Sequence, residues 1–572
     1  MASENYEEEF KFKNPKYRSS ILTNGVNNAG ERALLYATGM DEEALKKPFV
    51  GVISTFSEMV PGHVHLDELA GYVKQGVLEA GGVPRQSETI CICDGLCQGH
   101  DGMRYPLPSR DLIADSVEMV VEAHHFDAMV LLASCDKIIP GMLMAAARLN
   151  IPTVIVTGGP MMPGNVNGNP LFCSCELREF PGKVAAGTCT ADELKRIEKI
   201  TLPTAGSCAH LGTANSMCMI TEAIGMSLPG AGTAPAISNQ RKQIAKASGR
   251  AVMRLLEENV RPRDILTREA LLNGVAAAMA TGASTNLTLH LPAIAHEAGV
   301  ELTLDDFDRI SRKVSFICNL LPSGKYPIVS LFDNGGIGGV LKTIQQYINR
   351  DCLTVSGKTI GELIDEATVT HGDVIKTLEN PQKKEGGIAI LKGNLAPLGA
   401  VVKQSGVDPS MYHFTGKAMV FNSMEEADAA LYADKVAKGT VMVIRYEGPK
   451  GGPGMREMLS TTALIMGKGM DKDIALVTDG RFSGATHGPC IGHISPEAAV
   501  GGPIAFVEDG DEIEINIPER TLELHVADDV LAERKKSWKP VIKPAKAALR
   551  KYAALVGPAS GGAIVSVENV GK

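Results

Sequence analysis

No apolar run in this 572-residue chain is long enough to span a membrane. The opening residues, MASENYEEEF, are acidic and lack the apolar centre of a signal peptide. Positive charge is not in excess either. The 57 Lys and Arg stand against 66 Asp and Glu, a formal net charge of −9. That argues against a nucleic-acid binder held by phosphate contacts, and the basic stretch near Arg534 to Lys551 reads as a solvated helix face. Cysteine is sparse: 12 residues are too few for a disulfide scaffold at this length. Cys91, Cys93 and Cys97 cluster, as do Cys173 and Cys175, but without the paired C-x-x-C hooks of structural zinc. These absences point to a cytoplasmic globular protein with reduced thiols, no membrane contact and no nucleic-acid partner. At 44% hydrophobic and 22% charged residues the composition is ordinary, and the length calls for two or three domains.

The chemistry is concentrated in LLASCDKIIPGMLMAAARLN, Leu131 to Asn150. A short apolar run, Ala128 to Ala133, reads as a buried strand. Pro140 and Gly141 then open a helical run. Cys135, Asp136 and Lys137 therefore sit where a strand ends and a helix begins, the place where α/β proteins bind ligands. Taken alone, the triplet is equally a buried Cys beside an ion pair. Its neighbours add weight. PFVGVIST reads as a strand ending near Thr55, followed by the loop FSEMVPGHVHL and a helix over Leu66 to Ala80. ETICICDG reads as the next strand, with Asp94 at its end, and Ser109 as the N-cap of a helix running to His124. IPTVIVTGG is a further strand. Strands alternating with helices imply a parallel sheet covered on both faces. In such a sheet the loops VPGHVH, CDG and SCDK share one edge, so Asp94, Cys135, Asp136 and Lys137 are expected to converge there.

Residues 160 to 200 read as a surface excursion. Cys208 then precedes a helical run, where a helix N-terminus stabilises a thiolate; on its own it is more readily a small packed residue. Gln240 to Leu321 is mostly helical. The character changes near Lys383, where short β-type runs begin. Ile513, Ile515 and Ile517 alternate with Glu512, Glu514 and Asn516, a half-buried strand, and TLELHV completes a hairpin. Lys383 to Val526 reads as a β-rich domain, a barrel being one form of it, with a helical tail packing back on the first domain. Two loops there stand out: YEGPKGGPGMREM, which contains Glu457, and TDGRFSGATHGP, which sets Ser483 between glycines where backbone can approach a ligand. No G-x-S-x-G elbow surrounds Ser483, which speaks against a hydrolase triad.

The motifs CDG…GHDGM, PSRDLIADSVE, SCDKIIPGM, GTANSM, YEGPKGGPGM and TDGRFSG, in this order over almost the whole chain, resemble the dihydroxy-acid and sugar-acid (phosphogluconate) dehydratase family. The resemblance implies an iron–sulfur hydro-lyase that converts a 2,3-dihydroxy carboxylic acid to a 2-keto acid. It also implies an N-terminal parallel-sheet α/β domain (residues 1–382), an aconitase-like β-barrel domain (383–530) and a helical tail (531–572), with the active site between the two domains. Homodimers or dimers of dimers are the expected assembly. By resemblance, Cys135 and Cys208 are cluster ligands; Asp94, Asp136 and Glu457 are magnesium ligands; Lys137 matches a lysine carried as a carbamate; and Ser483 matches the base. Magnesium prefers oxygen donors and iron accepts thiolates. One position departs from the pattern. Some relatives carry a third cysteine where this chain has Gly62, and Cys93 is the candidate substitute. A [4Fe-4S] cluster is favoured, with [2Fe-2S] the alternative. The expected reaction is dihydroxy-acid dehydration in branched-chain amino-acid biosynthesis, supported by LTLDDFDRISRKV. A sugar-acid dehydratase is the alternative, suggested by CAHLGTANSM and by Leu398 in place of a frequent Asp. A non-enzymatic iron–sulfur sensor would need neither Glu457 nor Ser483.

Overall fold

The computed structural model describes residues 9–570 apart from 167–168, 172–176, 178–179, 181–183, 185–186, 485 and 542. Cys173 and Cys175, paired in the sequence reading, lie outside the described residues. The N-terminal part is built on a four-stranded parallel sheet: β1 Phe49–Ser54, β2 Val83–Glu88, β3 Ala128–Ala133 and β4 Thr153–Thr157, in the order β2-β1-β3-β4. Every residue of β1, β3 and β4 is buried, the mark of a sheet covered on both faces. With the strand order β2-β1-β3-β4, the usual right-handed crossover rule puts the helix after β1 (Leu66–Glu79) on one face and the helices after β2 and β3 (Pro106–Ala123, Ile138–Leu149), which pack on each other, on the other. The first packs on the helix Asn239–Glu258 so closely that backbone meets backbone: a Cβ on Gly76 would lie 2.0 Å from Lys246 O.

Two local expectations are corrected here. The alternation in ETICICDG suggests a strand, but β2 lies earlier and stops at Glu88, where its partner β1 also stops at Ser54. Without a partner the next residues form no ladder, and Asp94 opens a four-residue helix, Asp94–Cys97. Ser109 does not cap its helix, which already begins at Pro106 because prolines suit the first turn. Its hydroxyl donates back to Pro106 O at 2.7 Å.

After a short hairpin, β5 Gly164–Val166 and β6 Asn169–Leu171, and a largely helical stretch, the chain forms an eight-stranded mixed sheet. Its strands are β7 Ala389–Leu391, β8 Gly399–Val402, β9 His413–Phe421, β10 Thr440–Ile444, β11 Ala475–Thr478, β12 Cys490–Ser495, β13 Glu512–Asn516 and β14 Thr521–Leu524, in the order β14-β13-β9-β10-β11-β12-β8-β7. The sheet is a nearly closed barrel. Its edges meet at Lys392 and Thr521, where Lys392 N–H donates to Arg520 O and Leu522 N–H to Lys392 O, both at 2.9 Å. Period-two alternation sorts the side chains. Ala389, Leu391, Val441, Val443, Ile513 and Ile515 fill the barrel. Ile390 and Val401 point outward into the core of the N-terminal part, and Met442 and Ile444 pack outward under two helices, Met424–Tyr432 and Leu459–Gly467.

Beyond β14, residues near 550–565 return to the N-terminal part. Tyr552, Val556, Ala559 and Ala563 pack with Leu107 and Leu289. The fully buried Arg110 donates to Gly562 O at 2.9 Å and Ala563 O at 2.8 Å, and Val565 N–H donates to Asp111 at 3.1 Å. Among the described residues no helix is long and apolar enough to cross a membrane.

Candidate active site

β1 and β3 are neighbours, but the chain leaves β1 toward β2 and β3 toward β4. Their carboxyl ends therefore flank the topological switch point of the sheet, where a crevice opens. The loop after β1 holds His63, fully buried. Cys135 N–H donates to its Nε2 at 3.0 Å. With Nε2 accepting, Nδ1 carries the ring proton and donates to Thr55 O at 2.8 Å. Burial pulls the imidazole pKa down to about 3, so the ring stays neutral, as its acceptor role requires. Gly62, beside it, faces the Cys135 sulfur: a Cβ there would lie 3.2 Å from Sγ.

Cys93 also meets Cys135. It is the residue before the Asp94–Cys97 helix, so strand alternation does not govern where its side chain points. The two thiols are hydrogen-bonded. That bond, together with backbone N–H groups of Leu96 and Gly95, lowers the Cys93 pKa, while the same bond and then burial raise that of Cys135. Burial pushes the Cys91 thiol up to about 12 and the Cys97 thiol up to about 11, which keeps both protonated. Cys208 lies in a turn ahead of the helix Thr213–Ala223 rather than at its first residue. Asn215 shapes that turn: its Nδ2 donates to Cys208 O at 2.5 Å and His210 O at 2.7 Å, and its Oδ1 accepts from Ser207 at 2.8 Å.

Asp94, Asp136 and Glu457 each bring one oxygen within 4.8 Å of the others. Glu457 comes from the barrel half, where Met458 N–H donates to Arg481 O at 2.9 Å and Arg481 N–H to Arg456 O at 3.0 Å, zipping the two glycine-rich loops together. The fully buried Arg481 reaches Glu457 Oε2 at 2.6 Å and Asp94 Oδ2 at 3.2 Å. Gln98 Nε2 holds the other Glu457 oxygen at 2.5 Å. Lys137, also fully buried, has Nζ 3.3 Å from Asp94 and 3.6 Å from Asp136 but completes no hydrogen bond. Burial pushes the Asp136 carboxyl up to about 6, opposed by Lys137 and reinforced by Asp94 and Glu457. Asp94 Oδ1 is buried and accepts nothing. Three converging carboxylates with an unsatisfied oxygen fit a divalent cation that takes oxygen ligands. Thiols at Cys93, Cys135 and Cys208 around the same crevice fit iron.

Asp94, Asp136, Cys208, His210, Glu457 and Ser483 line one cavity of ≈ 60 Å³, with Ala214 and Leu459 as its apolar wall. The structure thus brings Ser483 from the barrel to the carboxylates of the N-terminal part. Its loop is fastened on several sides. The buried Lys403 donates from Nζ to Gly484 O at 2.6 Å, Asn286 donates to Phe482 O at 3.4 Å, and a Cβ on Gly484 would lie 2.8 Å from Gly212 Cα. His487 lines a separate cavity with Asp408 and Asp471, and Leu398 is half exposed, away from the site. Sequence reading passed over His63, Gln98, Asn215, Lys403 and Arg481. The only signal was their place inside the motifs VPGHVH, CDG…GHDGM, GTANSM and TDGRFSG, and none for Lys403.

Residues 47–363 match the family model of the dihydroxy-acid/6-phosphogluconate dehydratase N-terminal domain, and residues 373–563 the C-terminal domain of the same family. A dihydroxy-acid dehydratase of Pyrococcus furiosus is 51% identical over 550 residues, covering 96% of this chain and 100% of the relative. Another of Clostridium novyi is 52% identical over 551 residues, with the same coverage of each. One of Aquifex aeolicus is 50% identical over 553 residues, again covering 96% and 100%.

Proposed function

The chain belongs to the dihydroxy-acid/6-phosphogluconate dehydratase family and is a hydro-lyase, and on that premise we propose that it dehydrates a short branched 2,3-dihydroxy acid to a 2-keto acid for branched-chain amino-acid biosynthesis. The observation that carries this reading is the ≈ 60 Å³ cavity, in which three carboxylates, Cys208 and Ser483 face one another beside Ala214 and Leu459. Its apolar wall suits a branched aliphatic substrate better than a polyhydroxylated sugar acid. Leu398, the residue that hinted at sugar acids, is remote from it.

In this reading Cys93, Cys135 and Cys208 hold the iron–sulfur cluster. Three thiolates suit a [4Fe-4S] cluster, and [2Fe-2S] is the alternative. Asp94, Asp136 and Glu457 hold Mg²⁺, with Lys137 adding an oxygen as a carbamate. When bound, these groups supply Lewis acidity at the departing 3-hydroxyl and offset the negative charge of the substrate carboxylate. The chain's own residues do the rest. Ser483, deprotonated in the cationic site, takes the proton from C2 on its Oγ, the C–H electron pair forms the C2–C3 double bond, and the C3–O bond breaks; the departing hydroxide takes the proton that Ser483 has just received and leaves as water, which restores the alkoxide. The resulting enol tautomerises to the 2-keto acid. Arg481 and Gln98 fix Glu457, and Arg481 also pairs with Asp94, through the contacts described above. His63 holds the Cys135 backbone. A homodimer or dimer of dimers in the cytoplasm is the setting we assign.

The test is a parallel assay of anaerobically purified protein on 2,3-dihydroxyisovalerate, gluconate, arabinonate and 6-phosphogluconate. Turnover of dihydroxyisovalerate at least a hundredfold above every sugar acid is expected. Preference for any aldonic acid would sink the substrate assignment.

A further inference from the structure

The buried cations that reach the metal-site carboxylates are paired with them. Arg481 has Glu457 and Asp94, and Lys137 has Asp94 and Asp136. Lys403, the residue after β8, is different. It is 5% exposed, and it forms no ion pair among the described residues. Its Nζ makes one hydrogen bond, to Gly484 O at 2.6 Å. Burial pulls its pKa down to about 7, and no neighbouring charge offsets that pull.

The chain fixes where this amine can reach. Lys403 precedes the short turn Gln404–Gly406, which is pinned on two sides. Gln404 Nε2 donates to Gly386 O at 2.6 Å and Ser405 N–H to Gly387 O at 3.1 Å. Gly406 N–H donates to Lys403 O at 3.0 Å, and Gly488 N–H, beyond Ser483 on the same loop, donates to Gly406 O at 3.1 Å. Two further cations hold the turn. Lys383 donates to Gln404 O at 2.8 Å, and Arg520, paired with Asp308 and Glu385, donates to Gln404 Oε1 at 3.3 Å. Neither supplies a counter-ion for Lys403.

An ammonium without a counter-ion is costly to bury. A methionine would fill a similar volume without that cost. The amine binds the residue directly after Ser483, and Ser483 must itself become an anion to take the proton from C2. A serine hydroxyl is a poor base at neutral pH. An opposite charge held close to it in a site of low dielectric favours its ionised form.

We propose that Lys403 is a positioning residue for the dehydration: it holds the Ser483 loop through Gly484 O and supplies the positive charge that stabilises Ser483 as an alkoxide. This rests on the reading of Ser483 as the base. Lys403 stays an ammonium throughout and transfers no proton. The titratable groups that share the cavity with Ser483 are Asp94, Asp136, Glu457, Cys208 and His210. The three carboxylates oppose an alkoxide. Arg481, two residues before Ser483, is already committed to two of them. Lys403 brings the uncommitted positive charge.

The test is the pH dependence of kcat for anaerobic, cluster-loaded wild type, Lys403→Met and Lys403→Arg on 2,3-dihydroxyisovalerate, with iron content and melting temperature measured on the same samples. Lys403→Met should lose about tenfold or more in kcat at neutral pH with KM little changed, and the acid limb of its kcat profile should move up by about one pH unit or more. Lys403→Arg keeps the charge and should keep the limb in place. Added to Ser483→Ala, Lys403→Met should cost nothing further, because the two residues act as a unit. If Lys403→Met does not fold, Lys403→Gln, uncharged but still a donor, carries the same test. An unmoved acid limb in a folded, iron-loaded uncharged variant, a limb that moves as far in Lys403→Arg, or a loss that multiplies with that of Ser483→Ala would overturn the proposal. Wild-type turnover in Lys403→Met beside an inactive Ser483→Ala would sink this inference alone. Normal C2 exchange in Ser483→Ala would sink the reading of Ser483 and this inference with it.

Discussion

Replacing Ser483 by alanine separates holding a site from acting in it. The loop that carries Ser483 is fastened by several contacts that do not involve the hydroxyl. Lys403 grips Gly484 O at 2.6 Å, Thr486 N–H donates to Ser483 O at 3.2 Å, and Gly484 rests on Gly212. Losing one oxygen from a half-buried loop residue should therefore leave fold, iron content and magnesium affinity unchanged. Turnover should fall by the contribution of a positioned base, about 10²–10⁴-fold. That loss corresponds to about 2.7–5.4 kcal/mol of transition-state stabilisation, each decade being about 1.36 kcal/mol. It should appear in kcat with KM little changed, as for an interaction made in the transition state. His487 offers no rescue, because it lines a different cavity. The assay is steady-state dehydration by anaerobic holoenzyme, with exchange of the C2 proton followed by NMR in deuterated water. Near-normal C2 exchange in Ser483→Ala would refute the role.

Cys93→Ser should cut iron content and brown absorbance sharply even under argon, as should Cys135→Ser and Cys208→Ser; a variant that retains both removes its residue from the ligand set. His63→Phe keeps the ring volume but leaves Cys135 N–H buried without an acceptor, so denaturant unfolding of the apoprotein should show a loss of about 1–3 kcal/mol, and an unchanged midpoint would reject the contact. Lys403 gives a pH signature. Burial lowers its pKa from 10.5 to about 7 in the folded protein. Between those values the unfolded chain binds the extra proton, so stability rises with pH from about 7 toward 10. Lys403→Met should flatten that rise when melting is compared across the range, and identical slopes would exclude a buried amine that titrates.

The alternation of strands and helices was readable because β1, β3 and β4 are apolar throughout and bounded by turns. The convergence of Asp94, Asp136 and Lys137 followed from parallel topology alone. What local pattern could not supply was pairing. The alternation around Cys91 and Cys93 looks like a strand, yet β1 ends before it can be paired. The barrel's closure rests on Lys392 and Thr521, which are far apart in sequence and unremarked in composition. The same holds for the site. The glycine-rich loops of Glu457 and Ser483 stood out locally, but their roles were reachable only through whole-chain resemblance, and Arg481 beside them looks like any loop arginine until its guanidinium is seen between Glu457 and Asp94. His63 carried a cue in VPGHVH, but that it would accept the Cys135 N–H depends on how two strand ends meet.

The grip of Arg110 on Gly562 O has a consequence for biosynthesis. Its two partners are 452 residues apart. At roughly 5–20 residues per second, the ribosome needs about 20–90 s after making this arginine before its acceptors emerge. Throughout that interval the guanidinium must stay hydrated, so the face of the Pro106–Ala123 helix carrying Arg110 and Leu107 cannot seal. The nascent N-terminal half is thus held ajar until residues 562–565 arrive to close it. A fragment lacking those residues should engage holding chaperones far longer than the intact chain does.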